Sequence, residues 1–245
     1  MVRNVDYESR RRAVLTTTIN KYIQDALPVA SEDVAGDFDL SSATIRNIFS
    51  LLEEEGYLTH PYTSGGRVPT GKGYRYYVDL LISQLVLLDE QKQIVLKEFK
   101  REINRLEDIL EQTSEIISEL TNYTGIVSSC EWQDKFFYRG ISRILEQPEF
   151  NDIEKTRLLI KVLEEKQNLV DIMNRDFDEK VKVYIGEELG YPEIENCSII
   201  VSSYRVKNKT SGRLAVLGPM RMEYKQIIPT LEFISDGLTS LLEDI

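Results

Sequence analysis

The amino-acid sequence predicts an α+β fold, and three observations carry that reading. Apolar residues recur every three to four positions through most of the first half. From Lys182 the pattern changes to short apolar or alternating runs, Val183–Gly186, Cys197–Tyr204 and Gly212–Gly218, with Asn208–Gly212 as a hairpin-sized turn between the last two. A final helical pattern, about Tyr224 to Leu242, carries Ile228, Leu231, Ile234, Leu238 and Leu241, and can cover one face of a small antiparallel sheet.

The first helix is expected from about Tyr7 to Gln24, with Val14, Leu15, Ile19, Tyr22 and Ile23 inward. Leu27–Ser31 breaks it, and Ser31 can cap a short second helix over Glu32–Gly36. Asp39–Ser42 then turns the chain into a third helix capped by Ser41 or Ser42. This helix buries Ile45, Phe49 and Leu52 and stops at Gly56, where a left-handed residue belongs. Tyr57–His60 and Gly66–Val68 read as the two sides of a hairpin that Pro69 ends, because proline has no N–H for a continuing ladder. Thr70 caps a further helix from Gly71 to about Leu88. Three short-linked helices followed by a basic hairpin form the layout of a winged helix-turn-helix.

The stretch from Lys92 to Leu120 places Phe99, Ile103, Leu106, Leu110, Thr113, Ile117 and Leu120 at alternating steps of four and three, an a/d seam. Such a seam fits against a second subunit, making Phe99, Ile103, Leu106, Leu110 and Ile117 dimerisation candidates, or against this chain's own later domain. Tyr123–Gly125 ends that helix, Phe136–Gly140 reads as an aromatic connector, and Asp152–Arg175 as a two-part helix. The domain boundaries expected from this are 1–78 for the winged unit, 79–122 for a long helical linker, and 123–245 for the mixed domain.

Net charge is −11, which opposes nucleic-acid binding if spread evenly. It is not spread evenly. Residues 1–85 hold 9 Lys/Arg against 11 Asp/Glu, whereas 86–245 hold 21 against 30. In a helix-turn-helix the third helix enters the major groove with its first turns against the base edges. Here Ser41, Ser42 and Thr44 offer hydroxyls to phosphates, Arg46 can reach guanine or a phosphate, and Asn47 can pair with adenine. Thr63, Ser64 and Arg67 belong to the wing, and Lys72 and Arg75 follow one turn into the next helix. Each has a plainer account: the serines as caps alone, Arg46 and Asn47 as solvated surface, Arg67 paired with an acid. Order and spacing within 30 residues favour double-stranded DNA.

Enzymatic readings find little support. His60 is the only histidine, the two cysteines Cys130 and Cys197 have no Cys-x-x-Cys spacing, and no phosphate-binding glycine loop is present. No catalytic residue, metal ligand or cofactor is therefore expected. The longest apolar stretch, Leu80–Leu88, is too short to span a bilayer, and no signal-peptide pattern is seen, so a cytoplasmic location is expected.

Five segments of the first part resemble the heat-inducible transcription repressor family HrcA: Leu27–Ser31, Ser42–Asn47, Leu52–Leu58, Pro61–Thr70 and Gly73–Val78. Later ones include Thr124–Val127, Phe137–Gly140, Gln147–Phe150, Ile185–Glu188, Cys197–Ile200 and Gly218–Tyr224, in family order. The resemblance implies a winged helix joined to a GAF-like domain, here a reduced one, and a homodimer on an inverted-repeat operator upstream of chaperone genes. It also implies a link to a GroEL-type chaperonin. Tyr62, Ala30 and Gly65 depart from the residues usual in the family, and between Val127 and Phe136 members carry many more residues. Alternatives are a C-terminal domain that only dimerises, one gated by a small molecule near Tyr184, Tyr204 and Arg213, and a protein-association module.

Overall fold

Val14, Leu15, Ile19 and Ile23 are buried along one stripe of the first helix, α1 (Val2–Asp25), and so the helix packs by that face. The computed structural model describes residues 2–61, 66–82, 106–130, 135–175, 180–206 and 209–243. The chain divides into two compact units, Met1–Leu81 and Ile82–Ile245.

In the first unit α1 is followed by α2 (Ser31–Ala35), a 3-10 turn Gly36–Phe38, and α3 (Ser42–Glu54). Ser31 does not cap α2. Ala30 holds the N-cap position, and its N–H donates to the Asp33 carboxylate at 2.8 Å. That bond is the reciprocal half of a capping box, and no side chain caps the first-turn N–H groups of α2. Ile45, Ile48, Phe49 and Leu52 of α3 are buried, each contributing about 1.5–3 kcal/mol. Gly56 takes φ +77°, the left-handed stop.

Two short strands, β1 (Leu58–Thr59) and β2 (Val68–Pro69), then pair antiparallel, Leu58 with Pro69 and Thr59 with Val68. Pro69 thus lies inside the hairpin as its last residue. Arg67 adds a bridge the sequence did not signal, to Val29, with N–H···O distances of 2.9 and 2.8 Å. The Thr70 hydroxyl caps α4 (Gly71–Ile82), accepting from the Gly73 N–H at 3.1 Å, and donates to the Gly56 carbonyl at 2.6 Å.

The second unit is built on a five-stranded antiparallel sheet. Its helices and strands run α5 (Leu106–Thr121), β3 (Thr124–Ser129), β4 (Phe136–Arg139), α6 (Ile141–Leu145), α7 (Ile153–Glu164) and α8 (Lys166–Met173). Then come β5 (Val181–Ile185), β6 (Cys197–Val206), β7 (Lys209–Pro219) and α9 (Tyr224–Glu243). Strand order is β4-β3-β7-β6-β5. Ile126, Tyr184, Ile199, Val201, Ala215 and Leu217 face a core closed by Ile144 of α6, Leu159 and Val162 of α7, and Leu169 and Ile172 of α8. On the other face lie α5 and α9: Tyr224 Oη donates to Ser198 Oγ at 2.7 Å and Ser235 Oγ to the Ser203 carbonyl at 2.5 Å.

Two strands depart from the sequence reading. Thr124–Ser129 is a strand rather than a helix end, and Phe136–Arg139 is an edge strand rather than a connector. Both owe their extended form to pairing: β3 along its whole length with the distant β7, and β4 with β3, the strand just before it. The β6–β7 hairpin also runs further than expected, to Val206 opposite Lys209, so Gly212 sits in a strand facing Tyr204, whose ring covers it. Tyr184 pairs with Ile199 and Tyr204 with Gly212, which puts the two tyrosines on opposite faces of the sheet. No single pocket can hold both.

Within the expected linker, 106–121 forms a layer of the second unit. Leu110, Thr113 and Ile117 are buried at 1%, 1% and 0% exposure by the sheet and α9. The described part of the seam is thus spent inside one chain, and Leu110 and Ile117 present no surface to a second subunit. Phe99, Ile103 and the Leu106 side chain lie outside the described residues.

Candidate nucleic-acid interface

Ser41, with extended backbone (φ −69°, ψ 148°), caps α3: its Oγ accepts the Thr44 N–H at 3.1 Å and lies 2.9 Å from Thr44 Oγ1. With Ile45, Ile48 and Phe49 drawn inward, helical geometry turns Thr44, Arg46, Asn47 and Ser50 outward, and all four are exposed. Ser42 is half-buried beside them. Five of the expected contact residues, Ser41, Ser42, Thr44, Arg46 and Asn47, therefore share the first two turns of one helix. The open N–H groups and dipole there favour an anion.

Arg46 lies across to α2. Its Nε donates to Ser31 Oγ at 3.3 Å, Nη2 donates to Ser42 Oγ at 3.4 Å, and Nη2 stands 3.7 Å from the Glu32 carboxylate. These contacts are long, and both charged side chains are about two-thirds exposed, so holding Arg46 there is worth little. A phosphate or base edge can draw it away.

The remaining basic candidates lie elsewhere. Lys72 Nζ donates to the Glu55 carbonyl at 2.8 Å and sits 4.6 Å from the centre of the Tyr57 ring. It thus closes the C-terminal end of α3, where a cation suits the dipole, roughly 20 Å from the Ser41 end. Arg11 joins that same end through an ion pair with Glu55. Arg75 pairs with Asp79 at 3.4 Å. Arg67 is half-buried, and its Nε and Nη2 both stand 3.0 Å from Glu53 Oε2, the acid-paired account rather than an extended one. Thr63 and Ser64 lie outside the described residues. Sequence reasoning missed Glu53, Glu32 and the Val29 bridge, because each acts on a residue 14 or more positions away, or 38 in the case of Val29 and Arg67.

Among the described residues no group of three or more His, Cys, Asp or Glu side chains could hold a metal ion, and no helix is long and apolar enough to cross a membrane.

Comparison with known proteins follows the same division. Residues 7–80 match the family model "Winged helix-turn-helix transcription repressor, HrcA DNA-binding", and residues 128–228 match "HrcA protein C terminal domain". The heat-inducible transcription repressor HrcA of Brevibacillus brevis is 30% identical over 333 aligned positions, covering 95% of this chain and 97% of that protein. Its counterpart in Carboxydothermus hydrogenoformans is 28% identical, covering 96% and 98%. The aligned span of 333 positions exceeds the 245 residues of this chain, so the relative carries internal residues that this chain lacks. A crystal structure of a hypothetical protein superposes with a TM-score of 0.80 at 18% identity, covering 96% of this chain and 98% of that one, which supports the fold.

Proposed function

Because the chain belongs to the heat-inducible transcription repressor HrcA family, we propose that it represses chaperone genes by binding an inverted-repeat operator as a homodimer. The observation that carries the reading is the capped start of α3, where Thr44, Arg46 and Asn47 stand exposed on one surface. Arg46 and Asn47 read base edges, while Ser41, Ser42 and the N–H groups beside them take phosphates. Thr63 and Ser64 contact the backbone from the wing. Lys72, on the Glu55 carbonyl at the end of α3, and Arg75, one turn further along α4, are proposed as phosphate contacts rather than readers of bases.

Two copies of α3 related by a two-fold axis match the two halves of an inverted repeat. Leu110 and Ile117 are covered within one chain, which leaves Phe99, Ile103 and Leu106 as the proposed dimer contacts of that seam. The second unit, a reduced GAF-like domain, holds the two copies together and couples them to heat, and a GroEL-type chaperonin is the partner proposed to restore the folded repressor. The chain acts in the cytoplasm, on DNA and without a membrane or cofactor.

The test compares an inverted-repeat duplex with a scrambled one at two salt concentrations. Preference for the repeat, with affinity falling as salt rises, is expected. Arg46→Ala should weaken the repeat by about 1–3 kcal/mol and bring the two duplexes closer together. Equal affinity of the unaltered protein for both duplexes would overturn sequence-specific repression.

A further inference from the structure

The three consecutive acids at the end of α3 do different things. Glu55 pairs with Arg11 of α1, and Glu54 is exposed. Glu53 is three-quarters buried and uses both carboxylate oxygens: Oε1 meets His60 Nδ1, and Oε2 accepts from Arg67 Nε at 3.0 Å. His60 follows β1 and Arg67 precedes β2, so these two residues flank the loop of the wing. One carboxylate on the recognition helix therefore holds both stems of that loop. The Val29 bridge fixes the second stem from the other side, through backbone rather than charge.

We infer that Glu53 is a positioning residue for DNA binding: through His60 and Arg67 it sets where the wing stands relative to α3. Arg67 then serves as the wing's anchor to the protein rather than as a contact to the duplex. The inference rests on the DNA-binding reading above, and it makes a prediction opposite in sign to simple electrostatics. Removing an acid near a polyanion should tighten binding. Removing Glu53 should loosen it, because the wing loses its registration with the groove that α3 occupies.

Glu54 supplies the matched control, one residue away with the same charge. In the full chain, Glu53→Ala is expected to weaken binding to the inverted repeat by about tenfold, the scale of one hydrogen bond to a charged group. Glu54→Ala should leave affinity unchanged or raise it. Glu53→Gln, which keeps an oxygen for Arg67 and a polar group for His60, should recover part of the loss. Hydroxyl-radical footprints should show protection retained where α3 lies and lost at the flank the wing covers. Hydrogen exchange on the free protein provides the folding check: in Glu53→Ala the amides of α3 stay protected while those of Arg67 and Val68 exchange faster. If Glu53→Ala binds as tightly as Glu54→Ala with an unchanged footprint, the positioning role is wrong although the protein still prefers the repeat. If α3 itself loses protection, Glu53 is a structural residue of the helix and the inference is equally overturned. Failure of the unaltered protein to prefer the repeat is a separate result, and it counts against repression by sequence-specific binding.

Discussion

Replacing Gly125 by alanine tests whether α5 lies on the sheet by close backbone approach. A methyl group there would stand 2.9 Å from Ile117 Cβ and 2.9 Å from the Ser118 nitrogen, and nearer still to the Ser114 carbonyl oxygen. Carbon contacts settle at about 3.5–4 Å, so α5 would have to move by roughly 1 Å. Two effects oppose each other. Alanine restricts the unfolded chain, which stabilises by about 0.4–1 kcal/mol where the native conformation accepts it. Overpacking costs about 1–3 kcal/mol, and here most of the obstruction is helix backbone, which cannot rotate aside as the tip of a side chain would. The second effect wins, leaving a net loss of about 1–2 kcal/mol in the second unit. Urea titration read by hydrogen exchange at the β3 and α5 amides isolates that unit from the first. Unchanged or increased protection of those amides in Gly125→Ala would refute the close packing.

The same steric logic applies at Gly66, where an added Cβ would meet the Val29 carbonyl oxygen at 2.5 Å; Gly66→Ala should break both bridge hydrogen bonds and speed exchange of the Val29 and Arg67 amides by about tenfold or more, measured by NMR. Burial pushes the Cys197 thiol from 9.0 up to about 12, with the Glu149 carboxylate adding to the rise, so a thiol reagent at pH 8 should leave Cys197 unmodified in the folded protein and label it once urea unfolds the chain. The sign for stability follows from linkage: the folded state keeps a proton that the unfolded state loses, so this contribution is intact below about pH 9 and declines as pH rises toward about 12. Tyr123, raised by burial from 10.0 to about 12 against the opposing pull of Arg221, adds to the decline, and denaturation midpoints measured from pH 8 to 11 should fall accordingly.

The residues of α3 were legible in the sequence because its signals are local. Ser41 bonds a backbone group three residues on, Gly56 adopts its left-handed turn by itself, and the inward stripe repeats within 13 residues. The same holds for Thr70, and the start of α7 is equally local, Asp152 capping it by accepting the Glu154 N–H at 2.9 Å. What escaped depends on partners far along the chain. Thr124–Ser129 contains a glycine and two serines and carries little strand character of its own; β7, some 90 residues later, supplies its ladder. The residue type at Ser31 permits a cap, yet the helix begins one residue earlier, and the Ser31 hydroxyl instead donates to Glu32 and accepts from Arg46. Which acid holds Arg67 could not be chosen from sequence, since Glu53, Glu54 and Glu55 stand side by side and only the turn of the helix separates them.

The β6–β7 hairpin has a bearing on reversibility. From Cys197 to Tyr204 and from Ser211 to Pro219 every residue is buried, with helices on both faces of the sheet. Apart from the buried Arg213, this hairpin carries apolar, aromatic or small side chains on both sides and turns no face to water, unlike an antiparallel strand that leaves one side polar. If heat lifts either helical layer away, the exposed strands can pair with those of another chain as readily as with their own cover. Cooling then sets refolding in competition with self-association, and recovery depends on protein concentration and on whatever keeps opened chains apart. A repressor made this way would switch off quickly on heating and return slowly, an asymmetry written into how completely its central strands are enclosed.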